Sequence, residues 1–185
     1  LKTKDYPGEQ KDITPEKLGN NRVYFLPYLM GERSPINDTN ARATFLGMSM
    51  DTTRSDMVQA VLEGVAFAIR DSFEVAKSLG IQIQRSKVCG GGAKSPLWRQ
   101  IFANVLNLPL DIPQTEEGPG YGGAMLAMVG CGLYPSVKDC ADALVSVRET
   151  VLPDPAIAAR YEKQYRNFKE IYPALKPLFA KLQEQ

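Results

Sequence analysis

The 185-residue sequence predicts an α/β fold, and three observations carry that expectation. Short apolar strands alternate with helix-period segments along most of the chain. A long amphipathic helix stands near the middle. The glycine run Gly90-Gly91-Gly92 joins an apolar strand to a helix start, the local pattern of a strand–loop–helix unit.

Taken in order, the stretch 1–22 is polar and unpatterned, with breaks at Pro7-Gly8 and Pro15. It reads as a lead-in or linker before a domain spanning 23–185. Tyr24 to Leu29 is aromatic and apolar, but Pro27 favours an extended segment over a central strand. Gly31 to Thr44 is a polar loop, and Phe45 to Met50 holds a short strand. The best-defined helix is predicted from Thr53 to Leu79. Val58, Val61, Leu62, Val65, Ile69 and Phe73 recur at three- and four-residue steps and form an apolar stripe. Asp56, Gln59, Glu63, Arg70, Glu74 and Lys77 fall largely on the other side. Thr53 or Ser55 caps the start, and Gly80 ends the helix in a left-handed conformation. Gly64 inside the stripe costs about 1 kcal/mol against alanine, so close packing against a neighbouring element is expected there.

The next strand is predicted at Arg85 to Cys89. Ser95-Pro96 then supplies a helix N-cap and first turn. Leu97, Trp98, Ile101, Phe102, Val105 and Leu106 give that helix its apolar face, and Leu110 to Pro113 is a second strand. Gly118-Pro119-Gly120-Tyr121-Gly122-Gly123 opens a helix of small residues, Ala124 to Val129, closing near Gly130 and Gly132. In the tail, Asp154 caps and Pro155 begins a helix. Its edge of Ile157, Tyr161, Tyr165, Phe168 and Ile171 is expected to pack in the core, and Pro173 to kink or restart it.

Composition narrows the functional classes. Basic and acidic residues number 22 and 21, a net charge of +1, which gives no support to a nucleic-acid partner. No apolar run approaches the ~20 residues needed to span a bilayer, so no membrane association is expected. The chain has no histidine, which removes Ser-His-Asp and Cys-His catalysis and histidine metal sites from it. Cys89, Cys131 and Cys140 are odd in number and widely spaced, as for free thiols in the cytoplasm. Cys89 ends an apolar strand and reads as a small buried hydrophobe. Without an initiator methionine, the chain is expected to be a fragment or a processed product.

Three places could carry chemistry. The first is Gly90-Gly91-Gly92-Ala93-Lys94-Ser95, where glycines let a ligand approach the backbone and a helix N-terminus offers unpaired N–H groups. It matches neither the Walker A nor the Rossmann pattern, and a tight structural turn fits it as well. The second is the pair Glu116-Glu117 before a glycine-rich helix start, suited to acid–base work or Mg²⁺, or simply solvated near a helix dipole. The third is Arg33 in Gly31-Glu32-Arg33-Ser34-Pro35, able to clamp an anion or to pair with Glu32 or Asp38.

At these places the sequence resembles the FGGY family of carbohydrate kinases. Ala43-Thr44-Phe45-Leu46-Gly47-Met48, then seven intervening residues, then Asp56-Met57-Val58-Gln59-Ala60-Val61-Leu62-Glu63, is similar to that family's C-terminal signature. Within the family, the segment Phe25 to Pro35, the loop Gly90 to Ser95 and Trp98-Arg99-Gln100 are most similar to xylulose kinases. The resemblance runs from about Tyr24 into the tail.

This resemblance implies a two-lobed, ATP- and Mg²⁺-dependent sugar kinase, each lobe built on the ribonuclease-H-like fold of hexokinase and actin. The chain then corresponds to most of the C-terminal, nucleotide-binding lobe, with the leading strands of that lobe lacking. Gly91, Gly92, Ala93, Lys94, Ser95 and Pro96 match the loop that contacts ATP or ADP, and Arg33 is a possible cleft or phosphate contact. The family's general base is an aspartate of the N-terminal lobe, to which no position here corresponds. No catalytic residue or metal ligand is therefore expected in this chain, and alone it is expected to be inactive. The implied reaction of the intact enzyme is phosphorylation of D-xylulose to xylulose 5-phosphate. Gluconate, ribulose or glycerol-type kinases of the family are the alternatives, as is a non-catalytic actin-like ligand-binding domain. An uncovered sheet edge in such a lobe predicts a homodimer.

Overall fold

A computed structural model describes residues 4–115 and 118–183. The chain runs α1 (Tyr6–Gln10), β1 (Tyr24–Leu26), β2 (Thr44–Leu46), α2 (Arg54–Ser78), β3 (Ser86–Lys87), α3 (Pro96–Leu106), β4 (Leu110–Pro113), α4 (Gly118–Gly130), α5 (Val137–Leu144), β5 (Val147–Val151) and α6 (Pro155–Gln183). A 3₁₀ turn, Gly91–Lys94, precedes α3. The mixed α/β architecture expected from the sequence is present.

Two small sheets frame the helices. β1 and β2 pair antiparallel, with Phe25 opposite Phe45 and their rings 4.6 Å apart. The second sheet has the order β3-β4-β5. β3 and β4 are parallel and joined through α3, since a parallel pair needs a crossover, whereas β4 and β5 are antiparallel.

α2 organises the core. Of the two expected caps Thr53 holds the start, in a reciprocal capping box with Asp56, and Gly80 follows the end at φ +83° as the sequence predicts. At Gly64 a Cβ would stand 2.1 Å from the Phe25 carbonyl oxygen, so the glycine lets β1 lie directly on the helix. Phe67 contacts three rings of α6: Tyr161, Tyr165 and Phe168, at 5.9, 6.1 and 5.2 Å. The aromatic edge predicted for the tail is thus the seam between α2 and α6. Arg70 lies across the edge of this seam, 4.0 Å from the Tyr165 ring centre, and donates to the Val105 carbonyl of α3.

The buried face of α2 follows the predicted stripe only in part: Leu62 lies in the core cluster and Val58, Val65 and Phe73 pack against it, but the centre of the face is shifted. Ile69 is 40% exposed, and Val58, Val61, Val65 and Phe73 are only half-buried, whereas Gln59 and Glu63 are 1% and 2% exposed. Distant partners pull these polar residues inward. Gln59 donates to the Lys17 carbonyl at 2.9 Å and to Glu63 at 2.8 Å, and the Tyr161 hydroxyl donates to the same Glu63 oxygen at 2.8 Å.

Other elements also differ from expectation. The stretch read as a polar lead-in carries α1 and sends Ile13 and Leu18 into the core cluster. The strand expected at Arg85 to Cys89 is regular only over Ser86–Lys87. Cys89 is exposed rather than buried, because β3 ends before it and the chain turns outward at Gly90. α6 continues through Pro173 and Pro177. Just before the first proline the Tyr172 hydroxyl donates to Asp38 at 2.7 Å, and beyond it Phe179 is buried. α5 and β5 were not anticipated. Among the described residues no helix is long and apolar enough to cross a membrane.

Candidate nucleotide-binding site

The glycine loop lies at the carboxyl ends of the parallel strands β3 and β4, where open α/β sheets characteristically take their ligands. Gly90 has φ +89°, a conformation that favours glycine, and it starts the 3₁₀ turn. Ser95 then caps α3. Its Oγ accepts from the Trp98 N–H at 3.1 Å and donates to Gln10 Oε1 at 2.6 Å, while Pro96 fills the first helical position.

The two glycines that the sequence groups together are separated by the structure. A Cβ on Gly91 would meet nothing within 4 Å. A Cβ on Gly92 would stand 2.4 Å from the Trp98 ring, so its hydrogen lets the loop lie flat on the indole. That indole is fixed in turn: Nε1–H donates to the Leu62 carbonyl of α2 at 3.0 Å, and the ring stacks on Phe102 at 5.4 Å. Arg99 ties α3 to β5 through Glu149 at 2.9 Å. The loop therefore stands on rigid supports, with Gly91 open to a ligand and Gly92 committed to packing.

A cleft opens beside the loop. Val88, Ile112 and Pro113 give it an apolar floor, and Cys89, Gly90, Ala93, Lys94, Thr115 and Arg148 rim it. It is shallow, enclosing about 10 Å³.

Other predicted positions lie elsewhere. Arg33 is exposed on a loop that meets α2 at Ser72 through Ser34. Trp98 meets the same helix ten residues earlier, at Leu62, about 15 Å away along the axis. The structure does not bring Arg33 to the glycine loop. Asp38, one of its expected partners, instead accepts from Tyr172 and from the Asn40 N–H. These bonds hold the Asp38 carboxyl below the usual range. Glu116 and Glu117 lie outside the described residues. Arg148, which lines the cleft, was not singled out in the sequence because the exposed β5 gives a weak strand signal.

A larger cavity, about 410 Å³, shares no residue with this cleft and lies between α2, α6 and the segment 28–36. Its size suits a small ligand, but several of its polar groups already have partners. The Tyr165 hydroxyl donates to Asp71 at 2.6 Å, and burial raises the pKa of both groups above their ordinary values. Among the described residues no group of three or more acidic, cysteine or histidine side chains could hold a metal ion.

Comparison with known proteins agrees with this architecture. The C-terminal domain of the FGGY family of carbohydrate kinases matches residues 8–131. A xylulose kinase of Staphylococcus epidermidis is 36% identical over 166 residues, which are 90% of this chain and 34% of that protein. The chain thus spans about a third of the length of such relatives. The crystal structure of a gluconate kinase from Lactobacillus acidophilus superimposes with a TM-score of 0.81 at 29% identity, covering 93% of this chain and 37% of that one. A xylulose kinase from Rhodospirillum rubrum gives 0.76 at 34% identity, covering 94% and 34%. The fold is that of the actin- and hexokinase-type sugar kinases. With matches of this extent in both sequence and structure, the chain belongs to the FGGY family of carbohydrate kinases and carries its C-terminal domain.

Proposed function

We propose that this chain is the ATP-binding domain of a cytoplasmic sugar kinase that phosphorylates D-xylulose to xylulose 5-phosphate. One observation carries the nucleotide part of the reading: a glycine loop at the carboxyl ends of two parallel strands, open at Gly91 and braced beneath by Trp98. Gly91, Gly92, Ala93, Lys94, Ser95 and Pro96 form the nucleotide loop. Gly91 admits the ligand, the turn's N–H groups and the α3 N-terminus favour its negative charge, and Lys94 supplies a cation at the rim. ATP brings the transferable phosphoryl group. Mg²⁺ would come to the site on the nucleotide's phosphates.

The shallow cleft sets the division of labour. This domain supplies one face to the nucleotide, and the sugar and its activating base belong to the other lobe of the intact protein. Phosphoryl transfer depends on positioning and charge stabilisation from both sides. The choice of D-xylulose rests on the similarity to xylulose kinases, and the close superposition on a gluconate kinase supports gluconate as the second reading.

A coupled assay of ADP release by the intact protein separates them, using D-xylulose, L-xylulose, ribulose, gluconate and glycerol. D-xylulose is expected to give the highest kcat/KM. A higher value for gluconate would replace the substrate, and no turnover with any of them would remove the kinase reading.

A further inference from the structure

The glycine loop has a second support, and it comes from the stretch 1–22 that reads as a lead-in. Gln10, the last residue of α1, stands 85 residues from Ser95 in sequence and meets it directly: Ser95 Oγ donates to Gln10 Oε1 at 2.6 Å. Both residues are half-buried. The bond settles the serine hydroxyl. With its proton held by the amide oxygen, Oγ turns a lone pair to the Trp98 N–H at 3.1 Å, the bond that caps α3. Gln10 is itself held on either side. Before it, Glu9 takes a two-pronged ion pair from Arg54 at the start of α2, at 2.7 and 2.6 Å. After it, the Gln10 carbonyl accepts from the Ile13 N–H at 3.1 Å, and Ile13 is buried in the core.

We propose that Gln10 is a positioning residue for nucleotide binding, acting through Ser95 on the end of the glycine loop. Two braces then meet in the loop. One is the Trp98 indole under Gly92, tied to Leu62 of α2; the other is the Ser95 cap, tied through α1 to Arg54 of the same helix. A loop fixed before its ligand arrives loses less conformational freedom on binding. Without an acceptor at position 10 the Ser95 hydroxyl rotates freely, the cap weakens, and the nucleotide itself must order the turn Gly91–Lys94. The effect reaches the nucleotide only through the loop.

The proposal rests on the nucleotide reading of the glycine loop, and the test keeps the two apart. In the intact protein, ADP affinity is measured by calorimetry, kcat with D-xylulose at saturating ATP by the coupled assay, and folding by thermal melting. Wild type is compared with Gln10→Met, which keeps the side chain's length without its acceptor, with Ser95→Ala, with the double variant and with Gly91→Val. Gln10→Met is expected to weaken ADP about three- to tenfold, the loss of one hydrogen bond. Its kcat should stay within about twofold of wild type, because the chemical step is untouched once ATP is bound. In the Ser95→Ala background the same change should add less than about twofold, since its route is gone. If Gln10→Met leaves ADP affinity unchanged while Gly91→Val destroys it, the proposal falls and the loop reading stands. If neither affects ADP, both fall. An equal loss with and without the Ser95 hydroxyl also overturns the proposal, because Gln10 then acts by another route. Should Gln10→Met melt several degrees below wild type, Gln10→Ala replaces it. Unchanged ADP affinity in that folded variant, or a parallel fall of kcat and affinity, is equally fatal.

Discussion

Glu63 should make the stability of this domain fall as the pH rises through neutrality. Its carboxyl is 2% exposed between α2, α6 and the segment before β1. Burial pushes its pKa from 4.5 up to about 7, although hydrogen bonds from Gln59, Tyr161, the Gly19 backbone and Asn21 pull it down. The folded state therefore holds the proton more tightly than the unfolded chain does. The resulting stability is fully present below about pH 4.5 and is lost as the pH rises through 7. A shift of this size corresponds to about 3 kcal/mol, at ~1.4 kcal/mol per pKa unit. Glu63→Gln keeps the shape and an accepting oxygen for Tyr161 but cannot ionise. Urea unfolding of both proteins at pH 5, 6, 7 and 8 isolates the effect. Carboxyls such as Asp38 and Asp56, held below their usual range by hydrogen bonds, are common to both and cancel. The variant should gain about 2–3 kcal/mol on wild type between pH 5 and pH 8. A difference between the two that does not change with pH, or that favours wild type increasingly at pH 8, would refute the reasoning.

The other predictions follow from the glycines and from α4. Gly92→Ala should cost about 1–3 kcal/mol and alter Trp98 fluorescence, because the methyl group displaces the ring. Gly91→Ala, with open space around it, should melt within about two degrees of wild type; equal losses in the two variants would contradict their separate roles. Gly64→Ala should destabilise by more than about 2 kcal/mol in urea unfolding despite alanine's helix propensity, since Phe25 must move. A neutral result would mean that β1 yields easily. α4 carries no buried residue, and Leu126 on it is 61% exposed, so the purified 185-residue chain should dimerise. Light scattering showing a monomer at tens of micromolar would contradict this.

What the sequence made legible was local. Ser95-Pro96, Gly80 and Thr53, one of the two expected caps of α2, act within a few residues of themselves, and the structure places each as expected. The strand–glycine–helix unit could be read for the same reason. Gln59 and Glu63 were assigned to the wrong face because their burial depends on Lys17 and Tyr161, which are 42 and 98 residues away. Nothing in the period of α2 announces such partners. Arg148 stayed hidden because β5 is exposed on nearly every residue, so no alternation marks it as a strand. Gly91 and Gly92 look alike in sequence, and only the position of the Trp98 ring tells them apart. The Glu116-Glu117 pair lies outside the described residues, and the structure adds nothing to it.

The central claim is that nucleotide covers the cleft beside the glycine loop, and the chain carries its own reporters. Cys89 rims that cleft and is exposed; Cys131 is also exposed but lies beyond α4; Cys140 is buried. The intact protein is treated with a thiol alkylating reagent with and without saturating ATP and Mg²⁺, and the rate at each cysteine is read by mass spectrometry. ATP should slow alkylation of Cys89 by about tenfold or more, leave Cys131 unchanged, and leave Cys140 unreactive in both samples. Cys89 reacting at the same rate while calorimetry shows ATP bound would place the nucleotide elsewhere and contradict the account.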